Sequence, residues 1–144
     1  MKAKLLSRQA PRTVVVVFHS GDSVVDGLMA VAKEWQLRGS HFTAIGALQE
    51  VTLGYWDPER KDYQRIHLPE QVEVLSLVGN FAQGPDDGPK LHAHVVVGKS
   101  DGTAYGGHLL HARVRPTLEV VIIESPEQLQ RRLDPETGLP LLSL

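Results

Sequence analysis

The sequence predicts an α+β domain: a mainly antiparallel sheet with one principal helix. Three observations predict it. Apolar runs rich in Val, Ile and Leu recur at short intervals between turn residues, giving eight or so strands. One stretch, residues 25–35, carries apolar side chains at helical spacing. Ser100-Asp101-Gly102 is a hairpin signal between two strand-like runs. A chain of 144 residues is long enough for one domain with a real core and too short for two ordinary ones. The expected organisation is therefore a single domain over 1–144, with terminal segments at 1–11 and 127–144.

Residues 12–19 contain TVVVVF, a β-branched run that reads as a buried strand ending at Ser20-Gly21. Ser23 then caps a helix, with Asp26 three residues on in the capping-box position. Val25, Leu28, Met29, Ala32 and Trp35 form its apolar stripe, which reads as core rather than a cofactor site. Arg38 in the last turn and Gly39 at C′ predict its end. Residues 41–45 form a short strand, Gly46-Ala47 breaks it, and 50–56 form a second with Val51, Leu53 and Tyr55 alternating. Asp57-Pro58-Glu59-Arg60 is a turn, residues 63–67 continue as a strand, and Pro69 ends it. Residues 72–78 alternate as another strand, and 83–89 form a solvated loop. After the hairpin, residues 117–124 are a β-branched strand closed by Ser125-Pro126. In the tail, residues 128–133 read as a short helix and 134–138 as a turn. The apolar Leu139-Pro140-Leu141-Leu142 must then dock, in a groove of the protomer or on a neighbouring subunit.

Residues 91–112, LHAHVVVGKSDGTAYGGHLLHA, hold four of the seven histidines. His92 and His94 are two apart on a strand, so both imidazoles leave the same face. A two-residue Asp-Gly loop would set His92 opposite His111. A three-residue loop, with Gly102 as a left-handed bulge, sets His94 opposite His108 and His92 diagonal to them. The second register is preferred because Gly106-Gly107 then lies beside the histidine pair, where a bulge or close backbone approach is expected. Imidazole nitrogens suit zinc, iron, nickel and copper, and three of them leave an open coordination position. His92, His94 and His108 are thus candidate ligands of a divalent transition metal, zinc among them, and Gly106, Gly107 and His111 candidate pocket residues. The competing reading is of partly buried histidines hydrogen-bonded to backbone or to one another.

The rest of the composition narrows the function. Apolar residues make up 42% and charged residues 22%, a globular composition. There are no cysteines, hence no disulfide framework and no thiolate ligand or nucleophile. Lys2 and Lys4 are followed by no apolar h-region, and the aliphatic run at 14–18 is far too short to span a bilayer. No membrane role and a cytoplasmic, reducing setting are expected. A net charge of −2, with basic density only at Arg131-Arg132 and at Lys2 and Lys4, gives no basic stripe for nucleic acid. No catalytic residue and no reaction are assigned; the question of an enzyme stays open, with a non-enzyme the favoured side. Asp101 sits at the hairpin tip, Glu73 and Glu119 read as solvated acids, and His19-Ser20 with Asp22 lacks a nucleophile elbow. Gly106-Gly107 is not a phosphate loop, His41 and His67 read as polar residues at strand ends, and Trp56 as core or interface.

Four stretches carry a family resemblance: GALQEVTLGYWD at 46–57, EQVEVLSLVGNFA at 70–82, LHAHVVVGKSDGTAYGGHLL at 91–110 and TLEVVIIE at 117–124. Together they resemble the PPC (plants and prokaryotes conserved) domain in its free-standing bacterial branch, related to the C-terminal domain of plant AT-hook nuclear proteins. The resemblance covers nearly the whole chain. It implies an antiparallel-rich α/β domain, assembly as a homotrimer, a metal site at His92, His94 and His108, and a role as a DNA-associated regulatory or assembly protein. No Arg-Gly-Arg-Pro hook occurs here, since Arg38-Gly39 is followed by Ser40. The alternative function is a metal-dependent small-molecule binder or enzyme using the three histidines. Plain self-association, with the histidines at a subunit interface, is a third.

Overall fold

The β-branched runs build one sheet, and the single helix covers its inner face. The computed structural model describes residues 2–7 and 11–143, the first of these stretches by its backbone alone. In chain order the elements are β1 (Lys2–Ser7), β2 (Thr13–His19), α1 (Val24–Glu34), β3 (Gly39–Asp57), β4 (Asp62–Leu68) and β5 (Val72–Gln83). They continue with β6 (Pro89–Gly98), β7 (Ala104–Glu124), β8 (Gln130–Leu133) and β9 (Pro140–Ser143). The strand order is β1-β2-β7-β3-β5-β8-β9; β4 pairs with β3, and β6 bridges β5 and β7. All pairings are antiparallel except the short β5–β8 contact at Gln83 and Gln130. The expected α+β class, with one helix on a mainly antiparallel sheet, is what the chain adopts.

Strands β3, β5, β6 and β7 form a closed circuit of pairings, β3 with β5 and β7, and β6 with both β5 and β7. The alternation of side chains along these strands sends one set inward. Val95, Val97, Leu77, Leu53, Leu109 and Val114 are buried, together with Val24, Leu28, Val31 and Ala32 of the helix. Phe42 and Phe81 meet in this core with ring centroids 5.3 Å apart. Ser23 is the N-cap, its Oγ accepting from the Asp26 N–H at 3.5 Å. Among the described residues, no helix is long and apolar enough to cross a membrane.

Four local expectations are corrected. The helix ends at Glu34, not near Gly39: Gln36 takes the left-handed position at φ 52, and the Leu37 N–H closes onto the Ala32 carbonyl at 2.9 Å. That is a Schellman end made without glycine, and Gly39 is left to begin β3. The expected break at Gly46-Ala47 is a bulge within one 19-residue strand, marked by register shifts on both neighbours. The 117–124 strand joins the second hairpin strand as one element of 21 residues. The helical stretch expected at 128–133 is strand β8, because Gln130 pairs with Gln83 and the β8–β9 hairpin then folds the apolar tail back onto the sheet.

Gly46 shows why the bulge needs glycine. Its φ is +149°, and a Cβ there would stand 2.3 Å from the Thr117 carbonyl oxygen. Gly46→Ala should lose about 2–4 kcal/mol of stability in denaturant unfolding; a midpoint equal to wild type would contradict this reading of the bulge.

Candidate metal centre

The hairpin between β6 and β7 positions the histidines. Its turn is closed by the Lys99 N–H on the Thr103 carbonyl at 2.9 Å and the Gly102 N–H on the Lys99 carbonyl at 3.0 Å. Gly102 is left-handed at φ 83, the three-residue loop with a glycine bulge. Asp101 is occupied within the turn, accepting from the Thr103 N–H at 2.9 Å and its hydroxyl at 2.6 Å. The resulting register pairs His94 with His108, Val95 with Gly107 and Val96 with Gly106.

This register brings together one nitrogen from each of His92, His94 and His108, all within 4.8 Å of one another. The Nε2 atoms of His92 and His94 are 3.2 Å apart. Two nitrogens each about 2.0–2.1 Å from a tetrahedral zinc would stand roughly 3.3–3.4 Å apart, so the spacing fits metal ligation. The Nδ1 of His108 is buried and has no hydrogen-bond partner. Three converging imidazole nitrogens are a donor set that suits a transition ion.

The electrostatics point the same way. Burial pushes His108 down to about 4, and the neighbouring His92 and His94 add to the effect. His92 is also lowered, by burial first and then by the charges of Arg131 and His94. Neutral imidazoles at neutral pH offer their lone pairs without releasing a proton first. The Tyr63 ring of β4 stacks on His108 at 4.7 Å between centroids, and Trp56 meets Tyr63 edge-on at 5.2 Å. These rings fix the His108 imidazole from one side.

The other singled-out residues lie elsewhere. His111 sits against Glu50, at 3.6 Å, and Arg113 approaches the same oxygen at 3.5 Å. Gly107 passes close to β3: a Cβ on it would meet the Gly54 carbonyl oxygen at 2.9 Å. Gly106 makes only ordinary contacts with Val95 and Val96. Glu73 is exposed, five positions along β5 from the residue opposite His94, roughly 16 Å away at strand rise. Glu119 pairs with Val17 and Ile45 and is likewise exposed. His67 holds the Thr52 hydroxyl at 3.0 Å.

Beside the triad lies a cavity of about 220 Å³ that sequence reasoning did not foresee. Tyr63, Lys90, Arg131 and the tail residues Leu139, Pro140 and Leu141 wall it together with His92 and His108. Arg131 is only 5% exposed. In the sequence it is one of two adjacent arginines, and nothing local distinguishes it from its neighbour.

The depressed His108 carries a stability consequence for the metal-free protein. An unfolded chain binds its proton near 6.5 and the folded one only near 4. Its contribution is complete above the unfolded value and is lost as pH falls between the two. The melting temperature of wild type should fall over that window more steeply than that of His108→Gln; parallel curves would contradict the shift.

The Plants and Prokaryotes Conserved (PCC) domain matches residues 6–126. Among solved structures, a plant- and prokaryote-conserved protein from Pyrococcus horikoshii is 28% identical, with a TM-score of 0.86 over 99% of this chain and 95% of that one. A metal-containing protein from Archaeoglobus fulgidus is 34% identical, with a TM-score of 0.85 over 98% and 99%. A Bacteroides thetaiotaomicron protein, described provisionally as DNA-binding, is 29% identical, with a TM-score of 0.88 over 98% and 96%. Two Synechococcus proteins, both named bifunctional protein GlmU, are 32% identical over 121 residues, or 82% of this chain. The chain spans only 18% of the length of those curated relatives. The match over most of the chain, on a fold shared with these structures, places the protein in the Plants and Prokaryotes Conserved domain family.

Proposed function

We propose that this chain is a self-associating metal protein, holding one divalent transition ion, zinc among the ions its imidazole donors suit, on His92, His94 and His108. The observation that carries the reading is the convergence of three imidazole nitrogens within 4.8 Å on one hairpin. The A. fulgidus relative described as metal-containing supports it. Three protein nitrogens leave a position open, and His92 and His94 are exposed, so a small molecule can reach the ion. When bound, such an ion supplies Lewis acidity. His92, His94 and His108 would hold it, and Tyr63 would fix the His108 ring.

Self-association is supported by the outer face of the sheet. Ile45, Leu75, Val78, Val96 and Val121 are exposed there, Ile45 by 62% and Leu75 by 56%. Val121, Thr43, Val78 and His94 follow one another across β7, β3, β5 and β6 as register partners. Exposed apolar side chains gathered on one face mark an interaction surface, and this row, with Val121 and Val78 in it, ends at His94. A homotrimer, the assembly implied by the family resemblance, would cover it.

Two relatives described provisionally as DNA-binding, from B. thetaiotaomicron and Ralstonia eutropha, favour a second reading, a cytoplasmic protein that regulates or assembles on DNA. The net charge of −2 weighs against direct contact by one chain. A gel shift that weakens steeply with salt would uphold it, and no shift at about 50 mM salt would remove it.

Protein purified without a histidine tag should carry about one transition ion per chain, and His94→Ala should bind it at least tenfold more weakly. Metal analysis showing no ion in either protein, under chelator-free neutral conditions, would overturn the metal reading. Sedimentation equilibrium should give three times the chain mass, and Val78→Lys should reduce it towards one while leaving the circular dichroism unchanged. A monomeric wild type would contradict the assembly.

A further inference from the structure

The least explained group in the molecule is the guanidinium of Arg131. It lies on β8 with 5% of its surface exposed. Its Nη1 donates to the Pro140 carbonyl at 3.1 Å and its Nη2 to the Asn80 side-chain oxygen, while Nε is buried with no partner. Both acceptors are neutral, and among the described residues no carboxylate pairs with it. A buried cation without an anion is costly and is normally neutralised by a partner. Arg131 also borders the cavity shared with His92 and His108, with Lys90 at its edge.

We infer that this cavity receives a small carboxylate anion, with Arg131 as its charge partner and the ion on His92, His94 and His108 as its second anchor. The inference rests on the metal reading for the second anchor only. The cavity, about 220 Å³, has the volume of roughly seven waters and is smaller than pockets for drug-sized ligands. That suits an acid of a few carbons. The walls divide the work. Leu91, Leu139, Pro140 and Leu141 offer an apolar side for the carbon chain, and Arg131 the positive one; Lys90 at the edge is already paired with Asp86 at 3.0 Å. The open coordination position suits a hydroxyl or carbonyl oxygen adjacent to the carboxylate. The β8–β9 hairpin is then a structural wall of the ligand site: it carries Arg131 and supplies the apolar side.

Lactate and its neutral counterpart lactamide differ in charge at nearly constant shape, and they are the probes. Titrated into cobalt-loaded protein, lactate should shift the cobalt visible spectrum saturably and bind at least tenfold tighter than lactamide. It should also move the Arg131 Nε–H resonance of nitrogen-15-labelled wild type. Arg131→Met should lose at least tenfold in lactate affinity and Arg131→Lys should recover part of it. If Arg131→Met does not fold, the lactate–lactamide ratio and the Nε–H shift in wild type decide. If cobalt does not load, the metal reading fails, and a lactate-specific shift of Arg131 Nε–H in the metal-free protein still upholds the anion site. Lactate no tighter than lactamide, with the Arg131 resonance unmoved, overturns the inference. Inorganic phosphate competing as well as lactate overturns the assignment to a carboxylate.

Discussion

The pairing of β6 with β7 is the constraint on which the site depends. One residue of slip in an antiparallel ladder sends every side chain to the opposite face. In the observed register Ala93, Val95 and Val97 face inward and are at most 3% exposed, while His92, His94 and Val96 face outward. Exposing the two valines alone would cost about 1.5–2 kcal/mol each. Bringing two imidazoles into a core without partners would add to that. The turn enforces the same register through Gly102 and the Lys99–Thr103 hydrogen bond. Turn geometry and burial therefore agree, and their agreement sets His94 against His108.

The remaining architecture supports that one pair. β3 runs beside β7 and passes Gly54 opposite His108, leaving room on its outer side for the Tyr63 ring from β4. β5 lies on the other flank and sets Val78 opposite His94 and Asn80 opposite His92. Asn80 in turn holds Arg131, so the tail hairpin is anchored on the strand that flanks the histidines. The outer face of the sheet thus carries two features side by side: the histidine corner and a set of exposed apolar side chains, Val78 and Val121 among them. Association through that set would place a second chain at the edge of the histidine site.

Much of this is legible in the sequence because it is encoded locally. His92 and His94 share a face by the strand period, and Ser100-Asp101-Gly102 prescribes the turn, so the approach of His108 follows from counting. The helix start is legible through Ser23. Its end is not, because Gln36 adopts a conformation usually left to glycine. β8 is misread because QLQRRL has no strand alternation to speak of; a neighbour distant in sequence, Gln83, makes it a strand. Arg131, Lys90, Tyr63 and the 139–141 wall come from three separate parts of the chain, and no spacing rule links them. The family motifs point to the histidines, and only the folded tail reveals what stands opposite.

X-ray absorption at the metal edge of the untagged, zinc-loaded protein tests the central claim most directly. Three imidazole nitrogens at about 2.0–2.1 Å, with one further light atom in the open position, are the expected coordination shell. A shell of about six oxygens without the imidazole scattering pattern would show an ion bound elsewhere on the surface, and would contradict the assignment of His92, His94 and His108 as a metal centre.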